Sequence, residues 1–443
     1  MNTVFPGYDV NAVTWACLSA LLIVSVYFRF GRPFSSRNLD LLLLLSLSPG
    51  ILFIRNELPE PAEHEALRMT GFIWLLVVTG FLVARALYDP WQKWRPQFDQ
   101  NMTESGMLFL AVSALTFLGV RAMSDPIPED TRETIDRAVE VVDRTPAADA
   151  PPPPKPAEDM TAGPGAVTAG AFVMRLFDTN AARTLAILSH LAVVAGMVWA
   201  GRQTFSAPKA GVAMAMLYLL LPPTVYDVAA VNHVLPAALT MWAFVLHRRP
   251  LTAGVLLGFA GATQVFPLFL LPVWVSFYGR TGGRRFVLGV AAGLSAAVGS
   301  LVFIASDVDE FFRLALGSFH PYVEALGTEQ SGGLWSGGPT WSLYRLPVVV
   351  AYGVLVVLFT FSPRPKSSEM LLAQSVVLIL ATQFWVPQNG GLLIQWYLPL
   401  LLLLMFRPRL PDPFVVEEPS ATVRAATPQP PVRGGTVATG KLR

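Results

Sequence analysis

This sequence predicts an all-α protein that crosses a lipid bilayer many times, on three observations. Of its 443 residues, 53% are hydrophobic and only 14% charged, against about a quarter charged in a soluble domain. The apolar residues fall into blocks, several of which reach the roughly 17–25 residues a helix needs to cross hydrocarbon. Lysines and arginines gather in small groups at block ends, which reads as topology signalling. With a net charge of +2, that dispersal excludes a nucleic-acid surface. The single Cys17 excludes an internal disulfide and a cysteine metal site. Five scattered histidines show no HExxH or related spacing, so no cofactor is expected and no ligand cluster supports a divalent metal. Met1 to Val10 lacks Lys and Arg, so the first block is expected to stay as a membrane helix rather than to be a cleaved signal.

The blocks read as helices at 10–28, 39–54, 69–87, 106–122, 182–201, 210–226, 231–247, 251–264, 266–279, 286–305, 346–362, 369–386 and 391–406, roughly thirteen membrane segments. Basic groups follow alternate blocks: Arg29, Arg32 and Arg37; Arg85, Lys93 and Arg95; Arg202 and Lys209; Arg248 and Arg249; Arg280, Arg284 and Arg285; Arg364 and Lys366; Arg407 and Arg409. All fall on one face if 251–279 is a hairpin broken near Phe266-Pro267, whereas one long helix there would misplace a group. The expected orientation is therefore N-terminus outside and C-terminus in the cytoplasm.

Four regions follow: membrane helices over 1–122, an outer loop over 123–181, a second membrane region over 182–406 with an outer loop at 306–345, and a polar, Pro-rich tail over 407–443 expected to be disordered. In the first loop, Ile135, Ala138, Val139 and Val142 recur at helical spacing, with Glu133/Arg137 and Glu140/Arg144 four apart. This predicts an amphipathic helix over 129–144 that lies on the bilayer surface. Thr145 to Gly170, rich in Ala, Pro and Gly, is expected to be an extended linker. Asp307 to Phe319 predicts a second interfacial helix, and Gly332 to Gly338 a flexible turn region.

Several pieces from Ala182 onward occur in a telling order: Ala182-Arg183-Thr184-Leu185, Leu219-Leu220-Leu221-Pro222-Pro223, Val231-Asn232-His233, and Arg249-Pro250 running through Gly258-Phe259-Ala260 to Gln264-Val265-Phe266-Pro267 and Leu270-Leu271-Pro272. Trp341 to Leu346 and Gln395-Trp396-Tyr397-Leu398-Pro399 complete the set. Over roughly half the chain this resembles the membrane glycosyltransferases of the C superfamily. It is most like the bacterial mannosyltransferase-like branch, family 87-like, that takes sugars from polyprenyl phosphates. The resemblance implies a GT-C-like bundle with a large first outer loop, in which the fourth helix stands for the family's first and three helices are added before it.

It also implies an acidic residue near the membrane in the first loop, because an acceptor hydroxyl must lose a proton as the anomeric carbon is attacked. Asp125 is the first choice, with Glu129, Asp130 and Asp178 as rivals; each equally suits a helix cap or a solvated loop. Asp227, Asn232 and His233 lie where two helices meet at the outer face, and read as a substrate-lining group or a wet turn. Arg345 and Gln264 are candidates to seat a lipid phosphate, with His320, Tyr322, Trp341 and Trp396 as further substrate contacts or interfacial anchors. The chain departs from the family in having Gln264 where a Lys is usual, so it hydrogen-bonds a phosphate without charge, and in lacking the aromatic-Pro cluster of the first loop. The implied partners are the bilayer and a polyprenyl-phosphate-linked sugar. A non-catalytic scaffold or lipid-carrier-binding protein on the same fold is the alternative. A secondary transporter would need matching broken helices in two halves, and only one break is evident.

Overall fold

The computed structural model describes residues 12–56, 59–92, 100–143, 163–177, 180–303, 305, 307–316, 333–335, 343–363, 365–387 and 389–408. Among these residues the regular structure is helical throughout, the form in which a chain satisfies its own backbone groups in hydrocarbon. The N-terminal helices are α1 (Ala12–Tyr27), α2 (Ser36–Leu45), α3 (Leu47–Arg55), α4 (Pro61–Tyr88) and α5 (Glu104–Ser124). Ser35 and Thr103 cap α2 and α5 by accepting from the backbone N–H of Asn38 and Gly106, and Pro61 opens α4, where its missing N–H costs no hydrogen bond. Then come α6 (Glu129–Asp143), α7 (Pro164–Phe177), α8 (Ala181–Trp199), α9 (Pro208–Leu220), the short α10 (Pro222–Tyr226), α11 (Val231–Val245) and α12 (Pro250–Thr263). A 3-10 turn at Phe266–Leu270 leads to α13 (Leu271–Val298), followed by α14 (Val308–Leu316), α15 (Arg345–Phe361), α16 (Ser368–Thr382) and α17 (Ile394–Phe406).

Among the described residues, five stretches are long and apolar enough to cross a membrane: Ser36–Arg55, Pro61–Trp91, Glu104–Ser124, Ala181–Thr204 and Gly282–Val302. Eight shorter apolar helices of 10–17 residues accompany them. The protein is an all-α, polytopic integral membrane protein. Arg55, Arg121 and Arg345 lie elsewhere, but the described basic groups that follow alternate blocks, Arg29, Arg85, Arg248, Arg249 and Arg407 among them, collect at one end of the bundle. There Tyr278 donates to His247 O at 2.6 Å, Ser368 Oγ lies 3.0 Å from His247 Nε2, and Asn101 Nδ2 donates to Phe28 O at 2.9 Å. Burial pushes the His247 imidazole down to about 4, so it is neutral there.

A buried ion network closes this arginine-rich end. Arg85 grips Asp40 through Nε (2.7 Å) and Nη2 (3.0 Å), and reaches Asp89 through Nη1 at 2.9 Å. The other oxygen of Asp89 pairs with Arg407, whose Nη1 lies 2.7 Å from Glu369. The network joins α2 and α4 to the start of α16 and the end of α17. The N-terminal helices are thus locked to the rest of the bundle by charges that water cannot screen.

The break near Phe266-Pro267 is present, and the chain turns back there. With 14 residues, α12 is about 21 Å long at 1.5 Å per residue, short of a hydrocarbon core of roughly 30 Å. The expected helix over 266–279 is a 3-10 turn followed by a short helix that ends at Gly279. This residue has φ 59° and ψ −149°, a conformation that only glycine adopts readily. It reverses the chain inside α13. The later half of α13 then runs parallel to α12 at backbone contact: a Cβ on Gly254 would lie 2.2 Å from Phe286 O, on Gly258 2.3 Å from Val290 O, and on Gly293 2.2 Å from Val255 O.

Two loop expectations change. The linker expected to extend to Gly170 is helical from Pro164. Its small residues serve close packing, since a Cβ on Gly165 would meet Thr263 Cγ2 at 2.8 Å and Phe259 O at 3.0 Å. The amphipathic helix α6 forms over 129–143, but protein covers its apolar face: Ala138 and Val141 bury against Val167 and Ala171 of α7 and against Leu301. The second interfacial helix is α14, with Phe311 and Ala315 turned onto this cluster and Phe312 and Leu316 exposed.

Candidate functional site

At the other end of the bundle, three chain reversals meet: the start of α6, the turn between α10 and α11, and the break after α12. The start of α17 joins them. Two threonines fix α6 on α11. Thr131 donates to Ala229 O at 3.2 Å, and Thr134 Oγ1 hydrogen-bonds Asn232 Oδ1 at 3.2 Å. Both threonines and Asn232 are buried, so this junction is a polar seam inside the fold.

His233 lies at the centre. Trp396 Nε1 donates to His233 Nδ1 at 3.0 Å, and the Trp396 ring stacks on Phe266 at 4.6 Å between centroids. An indole N–H only donates, so Nδ1 accepts and the neutral imidazole carries its proton on Nε2. That nitrogen lies 3.9 Å from Asp130 Oδ2, too far for a direct hydrogen bond. A hydroxyl oxygen about 2.8 Å from both fits this gap. The other oxygen of Asp130 accepts from Thr131 N at 2.7 Å, which fixes the carboxylate at the first turn of its helix.

Asp227 stands on the second side of His233. Burial raises its carboxyl, while Arg55 and His233 oppose the rise and Asp130 adds to it. Arg55 reaches in from the end of α3, with Nη2 2.5 Å from Asp227 Oδ1, Nη1 donating to Tyr226 O at 3.1 Å, and the guanidinium 5.6 Å from the Tyr226 ring centroid. Below these groups, His190 bonds Tyr218 OH at 2.8 Å and Val228 O at 3.1 Å, and Gln395 Nε2 donates to Pro223 O at 2.9 Å. A carbonyl only accepts, so His190 donates through Nε2 and accepts a hydrogen bond from the Tyr218 hydroxyl at Nδ1.

The candidates drawn from the sequence divide accordingly. Asp130, Asp227, Asn232, His233 and Trp396 come together. Asp125 caps the end of α5 and pairs with Arg121 of the same helix at 3.0 Å. Glu129 is exposed beside Arg132. Gln264, at the C-cap of α12, and Arg345, at the first turn of α15, are both buried at this end. Asp178, His320, Tyr322 and Trp341 lie outside the described residues. Sequence reading missed Arg55, Thr131, Thr134 and Phe266. Thr131 and Thr134 sit three apart in the first two turns of an amphipathic helix, a signal that was present. Among the described residues no group of three or more His, Cys, Asp or Glu is placed to hold a metal.

The model of glycosyltransferase family 87 matches residues 163–387, just over half of the chain. The chain belongs to glycosyltransferase family 87. No match was found among curated proteins or among solved structures. The family 87 region contributes α7 to α16, and with them Asp227, Asn232, His233 and the break after α12. Asp130 on α6, Trp396 on α17 and Arg55 on α3 lie outside it. Family membership makes the protein a membrane glycosyltransferase.

Proposed function

We propose that this glycosyltransferase moves a sugar from a polyprenyl-phosphate donor to an envelope acceptor, at the membrane face opposite its arginine-rich end. The observation that carries this is the 3.9 Å gap between Asp130 Oδ2 and His233 Nε2, which a single hydroxyl bridges at a polar seam beside a broken helix. Asp130 is the base. It takes the acceptor's proton while the oxygen attacks the anomeric carbon, and the bond from that carbon to the phosphate oxygen breaks, leaving polyprenyl phosphate with the electron pair. His233 donates through Nε2 to orient the attacking oxygen, and Trp396 holds the ring in that tautomer. Phe266 and Trp396 offer an aromatic wall, with Gln264 and Arg345 as the phosphate contacts.

The donor is lipid-linked in this reading because the irregular backbone after α12 lies within the membrane thickness, where such backbone lines a protein-walled site. The arginine-rich end is cytoplasmic by the positive-inside rule, which puts the site outside, where polyprenyl phosphates and not nucleotides carry sugars. Purified protein in nanodiscs, given radiolabelled polyprenyl-phosphate hexoses or nucleotide sugars with a lipid-extract acceptor, tests it. Label transfer from the polyprenyl donor alone is expected. Transfer from the nucleotide sugar would refute the donor class, and none from either would favour a lipid-carrier-binding scaffold.

A further inference from the structure

We propose that Arg55, supplied by helices outside the family 87 match, is a positioning residue that sets the charge around His233. The inference rests on the reading above for its catalytic consequence, and on the contacts of Arg55 with the turn before α11 for the coupling itself. Arg55 makes three contacts with one turn: an ion pair to Asp227, a hydrogen bond to Tyr226 O and a cation-π contact with the Tyr226 ring. The turn leads directly into α11, which carries Asn232 and His233. Arg55 therefore fixes both the entry of this helix and the ionisation of the acid before it.

The charges facing this centre come from three elements. Arg55 arrives from α3, Asp130 from α6 with Glu133 behind it, and His233 from α11, while Asp227 lies in the turn itself. Glu133 is neutralised by Arg137 at 2.7 Å on its own helix. What remains is two carboxylates and one arginine around a neutral imidazole, a net charge of −1. Without Arg55 the same space holds two uncompensated carboxylates. A like charge favours protonation of a neighbouring carboxylate, and an extra anion favours imidazolium. Both effects act in one direction: Asp130 and His233 hold protons to higher pH, and the base is lost earlier as pH falls.

The acidic loop beyond α3 bears on the kind of role. Glu60, Glu63 and Glu65 follow within ten residues of Arg55, so an incoming phosphate meets like charge there. The three contacts to the 226–227 turn also engage the guanidinium on several sides. These features make Arg55 a clamp on the protein's own carboxylate rather than a seat for the donor phosphate.

The test is a titration of His233 in selectively 13C-histidine-labelled protein in detergent micelles, alongside the pH profile of sugar transfer. In Arg55→Gln the His233 midpoint and the acidic limb of transfer are expected to rise together. Adding Asp227→Asn restores the charge balance and should return both to wild-type positions, which a purely structural clamp would not do. Arg55→Lys keeps the charge and should leave the midpoint unmoved. The His247 signal, at the other end of the bundle, reports that each variant is folded. An unmoved His233 midpoint in folded Arg55→Gln would overturn the proposal, as would an equal rise in Arg55→Lys. If wild type transfers no sugar but the midpoint still rises in Arg55→Gln and returns in the double variant, the charge coupling stands and the transfer reading fails.

Discussion

Asp130→Asn is expected to lower sugar transfer by roughly 10²–10⁴-fold, the usual cost of a lost general base, with little change in thermal stability. The amide keeps the shape of the carboxylate and still accepts from Thr131 N, so the first turn of α6 stays capped. It cannot take a proton from a hydroxyl bound against His233. Asp125→Asn is the paired control. Asp125 is engaged by Arg121 on its own helix, and its loss is expected to change transfer by no more than a few-fold. Initial rates at saturating donor for the two variants decide between the acids. If Asp125→Asn is inactive and Asp130→Asn transfers at the wild-type rate, the base is Asp125 and the Asp130–His233 assignment is wrong.

Arg407→Met should destabilise the protein by about 3–5 kcal/mol, because it removes a buried cation that Asp89 and Glu369 share and leaves the network with one positive charge fewer. Asp89 is 1% exposed and keeps Arg85 as a second partner, so the loss falls on the charge balance of the buried network. The strain falls on the junction between α4 and the α16–α17 pair, and the N-terminal helices should loosen first. Arg132→Ala removes an ion pair whose side chains are 59% and 86% exposed, and should cost less than about 1 kcal/mol. Thermal unfolding in detergent compares the two. Equal melting temperatures would show that the buried network does not hold the two parts of the chain together.

The membrane class, the alternation of basic loops and the break near Phe266-Pro267 were legible in the sequence because they rest on composition and period, which the bilayer enforces. Other features were not. Gly163 to Gly170 reads as a linker by composition, yet the same small residues let α7 approach α12 closely. The reversal at Gly279 is one residue's φ among several glycines, so no pattern marks it. In the site, His233 and Asn232 stood out as polar residues beside a helix end. Choosing between Asp125 and Asp130 required knowing where the first turn of α6 lies, since five residues separate a helix cap from the histidine's partner. Arg55 was invisible because its partner is 172 positions away and it looked like one more residue at a block end.

The most direct test of the central claim is where a lipid phosphate binds. A polyprenyl phosphate bearing a diazirine on its first isoprene, photolysed with the protein in nanodiscs and mapped by mass spectrometry, should label the start of α6, the turn before α11, the 264–270 break and the start of α17. A donor hexose phosphate should compete with this labelling. Labelling confined to the arginine-rich end, around 246–250 and 276–285, would contradict the site and the sidedness of transfer together.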